Sequence, residues 1–233
     1  MGEAKRRREQ FRKPQRQCVL CGSRPATTLD HVPPKGLFIA PRPRLITVPA
    51  CEICNGGASE DEEQLKVFVS IKDGPHSPAL QDFWREGGLR TVRNNQRLMR
   101  QLRSGPRLWL RSRETGRFAE TSTYSWPVAS HNRVIKKITR GLYYHHFGAP
   151  LSQSTRVEVT AADRLYDDVK NLVMGPEFAR AHIGGDDRFC YAYARVAEVP
   201  EASIWVYQFY NRHWAMAVTE PDGFEFDEAD DPP

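Results

Sequence analysis

The chain has 233 residues, 39% of them hydrophobic, and a net charge of +5. That is enough apolar material for one large domain or two small ones with a real core. No apolar run is long enough to cross a bilayer, and the basic start "MGEAKRRREQFRKPQRQ" has no apolar stretch behind it, so neither a membrane span nor a secretory leader is expected and a cytoplasmic protein is.

The charge is unevenly placed. The tail "EPDGFEFDEADDPP" holds seven acids and no base, so the rest of the chain carries +12. A body this basic predicts a polyanionic partner, and the composition of residues 221–233 predicts an acidic disordered tail.

In chain order, residues 1–17 read as a basic flexible arm. Residues 18–75 form the first expected domain, short in large apolar residues and rich in turns to about residue 58, with one strand at "RLITVPA". A helix is expected over 60–72, where Ser59 and Glu62 have the spacing of a capping box. Residues 76–119 form a basic helical linker region with an expected break at Gly87-Gly88. Strands are expected at "RLWLRS" and "GRFAETSTYSW". Residues 120–220 then read as an α+β domain with an antiparallel sheet: an amphipathic helix "HNRVIKKITRGLYYHHFG" ended by Gly148, a strand at "RVEV", and strongly alternating stretches "RFCYAYARV" and "SIWVYQFYNRHWAMAVT".

Four of the five cysteines form two C-x-x-C pairs, Cys18/Cys21 and Cys51/Cys54, separated by a connector of 29 residues. In a reducing compartment this spacing argues for metal over disulfide, and four thiolates supply the whole tetrahedral shell of a structural zinc. A zinc clasp would also stabilise a segment too poor in apolar residues to hold itself by burial. The connector contains Asp30-His31, and Asn55 follows the fourth cysteine at once. Asp30 and Asn55 offer oxygen donors of the kind magnesium or manganese prefer, and His31 offers an imidazole suited to taking a proton from water. Together they point to phosphodiester hydrolysis.

The stretches "CVLCG", "LDHVPPKGLF" and "ITVPACEICNGGASEDEE" resemble an HNH endonuclease of the zinc-knuckle kind, in the ββα-metal or His-Me finger superfamily, with the motif order of its endonuclease VII-like members. The resemblance covers roughly residues 18–72. It implies His31 as general base, with Asp30 and Asn55 holding the catalytic magnesium or manganese. "RLITVPA" departs from the commoner pattern in lacking a middle asparagine.

The bland readings are a turn aspartate with a surface histidine, a turn role for Asn55, and a cap or solvated helix face for Glu62 and Glu63, the last preferred to a metal role. Between Arg85 and Arg117 lie ten arginines against two glutamates. Arg93, Arg97 and Arg100 fall at i, i+4 and i+7, a stripe for a phosphate backbone, and Lys35 is a further candidate phosphate contact. The aromatics from Tyr191 to Trp214 read as sheet core rather than a stacking platform. The leading expectation is a metal-dependent endonuclease acting on nucleic acid, DNA in the first instance. Its competitors are a zinc-stabilised nucleic-acid-binding protein without catalysis, and a nuclease effector of phage defence or toxin. The domain over 120–220 is expected to serve recognition, a protein partner or a homo-oligomer.

Overall fold

The computed structural model describes residues 17–71, 77–111, 115–124, 127–162 and 164–224. The basic arm, apart from Gln17, and residues 225–233 of the acidic tail lie outside them.

The fold is mixed α+β, and its named strands pair antiparallel throughout. A first hairpin joins β1 (Thr28–Val32) to β2 (Ile46–Ala50), with Asp30 opposite Val48 and His31 opposite Thr47. A short helix α1 (Glu52–Gly56) and the longer α2 (Ser59–Ile71) follow at once. The strand and helix expected here form. The capping box does not, because Ser59 is itself the first helical residue and the Glu62 side chain turns to Lys137.

The next stretch runs as α3 (Pro78–Asp82), a π-helical turn over Phe83–Gly88, α4 (Leu89–Asn94) and α5 (Gln96–Ser104). The expected break at Gly87-Gly88 is corrected: those glycines lie inside the π turn, where a Cβ at Gly88 would sit 2.5 Å from Ser70 Oγ. The chain breaks instead at Asn95, which leaves helical geometry and caps α5 by accepting from Leu98 N at 3.0 Å. Two short strands, β3 (Arg107–Arg111) and β4 (Phe118–Ser122), make a sheet of their own.

Helix α6 (Val128–Phe147) is the spine of the molecule. Val134, Ile135, Ile138 and Leu142 recur at helical spacing and are all buried, and Gly148 at φ 75° ends the helix. One face of α6 meets a five-stranded sheet in the order β5 (Arg156–Ala162), β9 (His213–Glu220), β8 (Ser203–Phe209), β7 (Phe189–Arg195), β6 (Ala179–Ile183). Helix α7 (Asp167–Met174) bridges β5 and β6. The long alternating stretch 203–219 is thus two strands, folded back at Tyr210 and Asn211, both at φ 54°. A tyrosine there is unusual. It is held by burial, by stacking on Phe83 at 4.4 Å and by donating to Leu37 O at 2.7 Å.

A single cluster of buried side chains includes Val19, Val32 and Val48 of the cysteine segment, Leu65 of α2, Ile138 of α6 and Trp205 and Tyr207 of β8. The hairpin carrying Asp30 and His31 therefore shares its core with the sheet. No described helix is long and apolar enough to cross a membrane.

Candidate metal centre and active site

The four paired cysteines meet. Their Sγ atoms all lie within 4.8 Å of one another. The first knuckle closes when Gly22 N donates to Cys18 O at 2.7 Å, with Gly22 at φ 63°. In the second, Cys51 precedes α1 and Cys54 lies within its first turn, so both sulfurs share one helical face. Zinc held by sulfur at about 2.3 Å in a tetrahedron requires sulfurs about 3.8 Å apart, and this cluster is of that size. Burial pushes the Cys18 thiol up, and burial together with the neighbouring sulfurs pushes Cys54 up, while hydrogen bonds from Ser23 hold Cys21 down at about 6 against burial. Four thiolates this close repel one another unless a cation neutralises them. Arg24 supplies part of that charge, its Nη1 lying 3.7 Å from Cys51 Sγ.

The zinc-sized cluster ties the start of β1 to α1. From there Asn55 reaches across: its Nδ2 donates to Thr28 Oγ1 at 3.1 Å and to Leu29 O at 3.2 Å. Asn55 is thus fastened to β1 one residue before Asp30, and its carbonyl oxygen is the donor atom left over. His31 lies on β1 across from Thr47, which occupies the register position facing it in the strand without a middle asparagine. β1 stays regular to Val32, so Asp30 and Val32 are buried while His31 is partly exposed on the other side of the alternation. The Asp30 carboxylate curls back toward that neighbour, Oδ1 accepting from His31 N at 2.8 Å.

Sequence reasoning missed the partner of Asp30. Lys137, one side of α6, places Nζ 2.7 Å from Asp30 Oδ2 and donates to Glu62 Oε1 at 2.6 Å. The Asp30 contact is a close, buried ion pair. Burial opposes the charge on Lys137, yet Glu62 and Asp30 together raise its pKa, and burial raises that of Glu62 in spite of Lys137. Two carboxylate oxygens thus converge on one buried cationic point. Both are oxygen donors of the kind a hard divalent ion takes, and in this structure they pair with the ammonium. The signal in the sequence was a lysine among the residues α6 buries. Glu62, read as a capping residue, belongs to this cluster.

The candidate phosphate contacts are dispersed. Lys35 is exposed, and its charge works against the burial that raises the Glu62 pKa. The stripe of Arg93, Arg97 and Arg100 is corrected: the break at Asn95 puts Arg93 on α4 and the other two on α5, so they share no continuous helical face. Arg97 pairs with Glu60 at 2.8 Å. A separate polar cavity of about 710 Å³, lined by Arg42, Lys66, Glu86 and Arg90 among others, opens between α2, the π turn and the loop after Lys35.

Fold and site define a mixed α+β protein with a four-cysteine cluster able to hold a metal such as zinc, beside a buried Asp–Lys–Glu cluster. No family model, curated protein or solved structure matches the chain.

Proposed function

We propose that the chain is a zinc-stabilised HNH-type endonuclease that hydrolyses phosphodiester bonds in nucleic acid. The observation that carries this reading is the hairpin-and-helix unit pinned by four cysteines, with Asp30 and His31 adjacent on β1 and Asn55 bonded back to that strand. Two paired strands followed by a helix is the order of elements this reading expects.

In this reading His31 takes the proton from the attacking water, its partial exposure giving it access to solvent and substrate. Asp30 and Asn55 would hold a magnesium or manganese ion, with Glu62, which shares Lys137 with Asp30, as a further carboxylate. When bound, such an ion stabilises charge developing on the phosphate oxygens. Lys35, exposed beside Glu62, suits contact with a substrate phosphate. Replacing His31 with alanine is expected to leave zinc content and folding intact and to lower magnesium- or manganese-dependent nicking of supercoiled plasmid by about 10²–10⁴-fold. Undiminished nicking would remove the assignment.

One observation favours a second reading, a nucleic-acid-binding protein without catalysis: the Lys137 ammonium already fills the cation position between Asp30 and Glu62. That reading predicts salt-sensitive binding with no cleavage in any divalent metal.

A further inference from the structure

The β3–β4 hairpin has a composition at odds with its exposure. All five residues of β3 are exposed, and Leu108, Trp109, Leu110 and Phe118 remain 48%, 69%, 47% and 66% exposed. Large apolar side chains grouped on a surface ribbon mark an interaction site. The two strands form a sheet alone, and an isolated two-stranded ribbon gains little stability from itself.

The register sorts the side chains. Trp109 faces Glu120 and Arg111 faces Phe118, so Trp109 and Phe118 are diagonal neighbours on one face. Alternation puts Arg107 and Arg111 on that same face, on either side of Trp109, and sends Leu108 and Leu110 to the other. Glu120 is the carboxylate of this face and pairs with Arg107 at 3.3 Å. Arg111 donates from Nε to Gly116 O at 3.2 Å and makes no ion pair among the described residues. The hairpin also continues the arginine-rich stretch that begins at Arg85.

We propose that this hairpin is a binding ribbon for an unpaired nucleic-acid strand, with Trp109 and Phe118 stacking on bases and Arg107 and Arg111 meeting phosphates. Charge complementarity selects a polyanion. Two exposed ring faces select one whose bases are free to stack, which a closed duplex does not offer. The ribbon rests on the nucleic-acid reading above and adds the form of the substrate.

The test measures anisotropy of a labelled oligothymidylate and of a blunt duplex of equal length with the full chain, without added magnesium or manganese. The wild type is expected to bind the single strand more tightly than the duplex. Trp109→Ala with Phe118→Ala is expected to weaken single-strand binding by about tenfold or more and to keep the zinc content and thermal transition of the parent. Unchanged single-strand affinity in that variant overturns the ribbon while leaving the His31 test standing. Absence of any binding by the wild type overturns the nucleic-acid reading with it. Sedimentation showing a dimer that Leu108→Ser with Leu110→Ser dissociates assigns the hairpin to a second copy of the chain, and also overturns the proposal.

Discussion

Lys137 decides how the charges at the centre of the molecule balance. Its side chain is buried, as is that of Asp30, and Glu62 is three-quarters covered. Removing one partner of a buried cluster costs far more than the cluster contributes, because the remaining charges keep their desolvation penalty. Lys137→Ala is therefore expected to destabilise the fold by about 3–5 kcal/mol, measured by urea unfolding. If Asp30 and Glu62 accept a divalent ion, millimolar magnesium or manganese will restore part of that loss in the variant and little in the parent; equal metal responses would show that the carboxylates do not form a cation site. His146, in the last turn of α6, shows burial dominating the charge of a side chain. Held between the hydroxyls of Tyr191 and Tyr193 at 2.9 Å each, it has a pKa pushed down to about 4, chiefly by burial. Its place there is explained by packing, with the ring stacked on Tyr193 at 4.3 Å.

At the scale of elements, the closest approach that matters is α6 against β1. A Cβ built on Gly141 would lie 2.5 Å from Val32 Cγ2, and both residues are buried. Only hydrogen fits there. Gly141→Ala must push α6 away from the strand that carries Asp30 and His31, and overpacking of this kind costs about 1–3 kcal/mol despite alanine's better helix propensity. The expected result is a lower melting temperature and a weakened Lys137–Asp30 contact. A variant as stable as the parent would mean that α6 and β1 slide apart freely. Arg133 fastens α6 to α2 from the side, with a bidentate pair to Asp61 at 2.7 Å that holds the Asp61 carboxyl below its usual range.

For the whole molecule, the consequence of a shared core is cooperativity. Val19, Val32 and Val48 belong to the same buried cluster as α6 and the five-stranded sheet, so the cysteine segment does not sit apart from the rest. Removing a zinc held at the four cysteines would free the two knuckles, expose this side of the core and let four thiolates repel. Titration with a strong chelator is expected to release one zinc per chain and to lower the melting temperature of a single transition. Two separated transitions, the upper one unmoved, would show that the cysteine segment folds on its own.

Local signals were enough for much of this. Four cysteines at knuckle spacing, the apolar period of α6 with Gly148 after it, and the alternation of the sheet strands each express a preference that neighbouring residues set by themselves, so the elements and the metal cluster were readable. The break at Asn95 was not, because the glycines that look like punctuation are retained in a π turn where Ser70 and Trp84 leave no room for a side chain. Helix α7 and β6 were missed for a similar reason, their short segments being stabilised by the sheet they lie against more than by their own pattern. Only the tertiary structure decided what stands beside Asp30. A lysine 107 positions further along the chain reaches it because α6 packs across β1 and α2, and burial makes two carboxylates seek whatever cation the fold brings near.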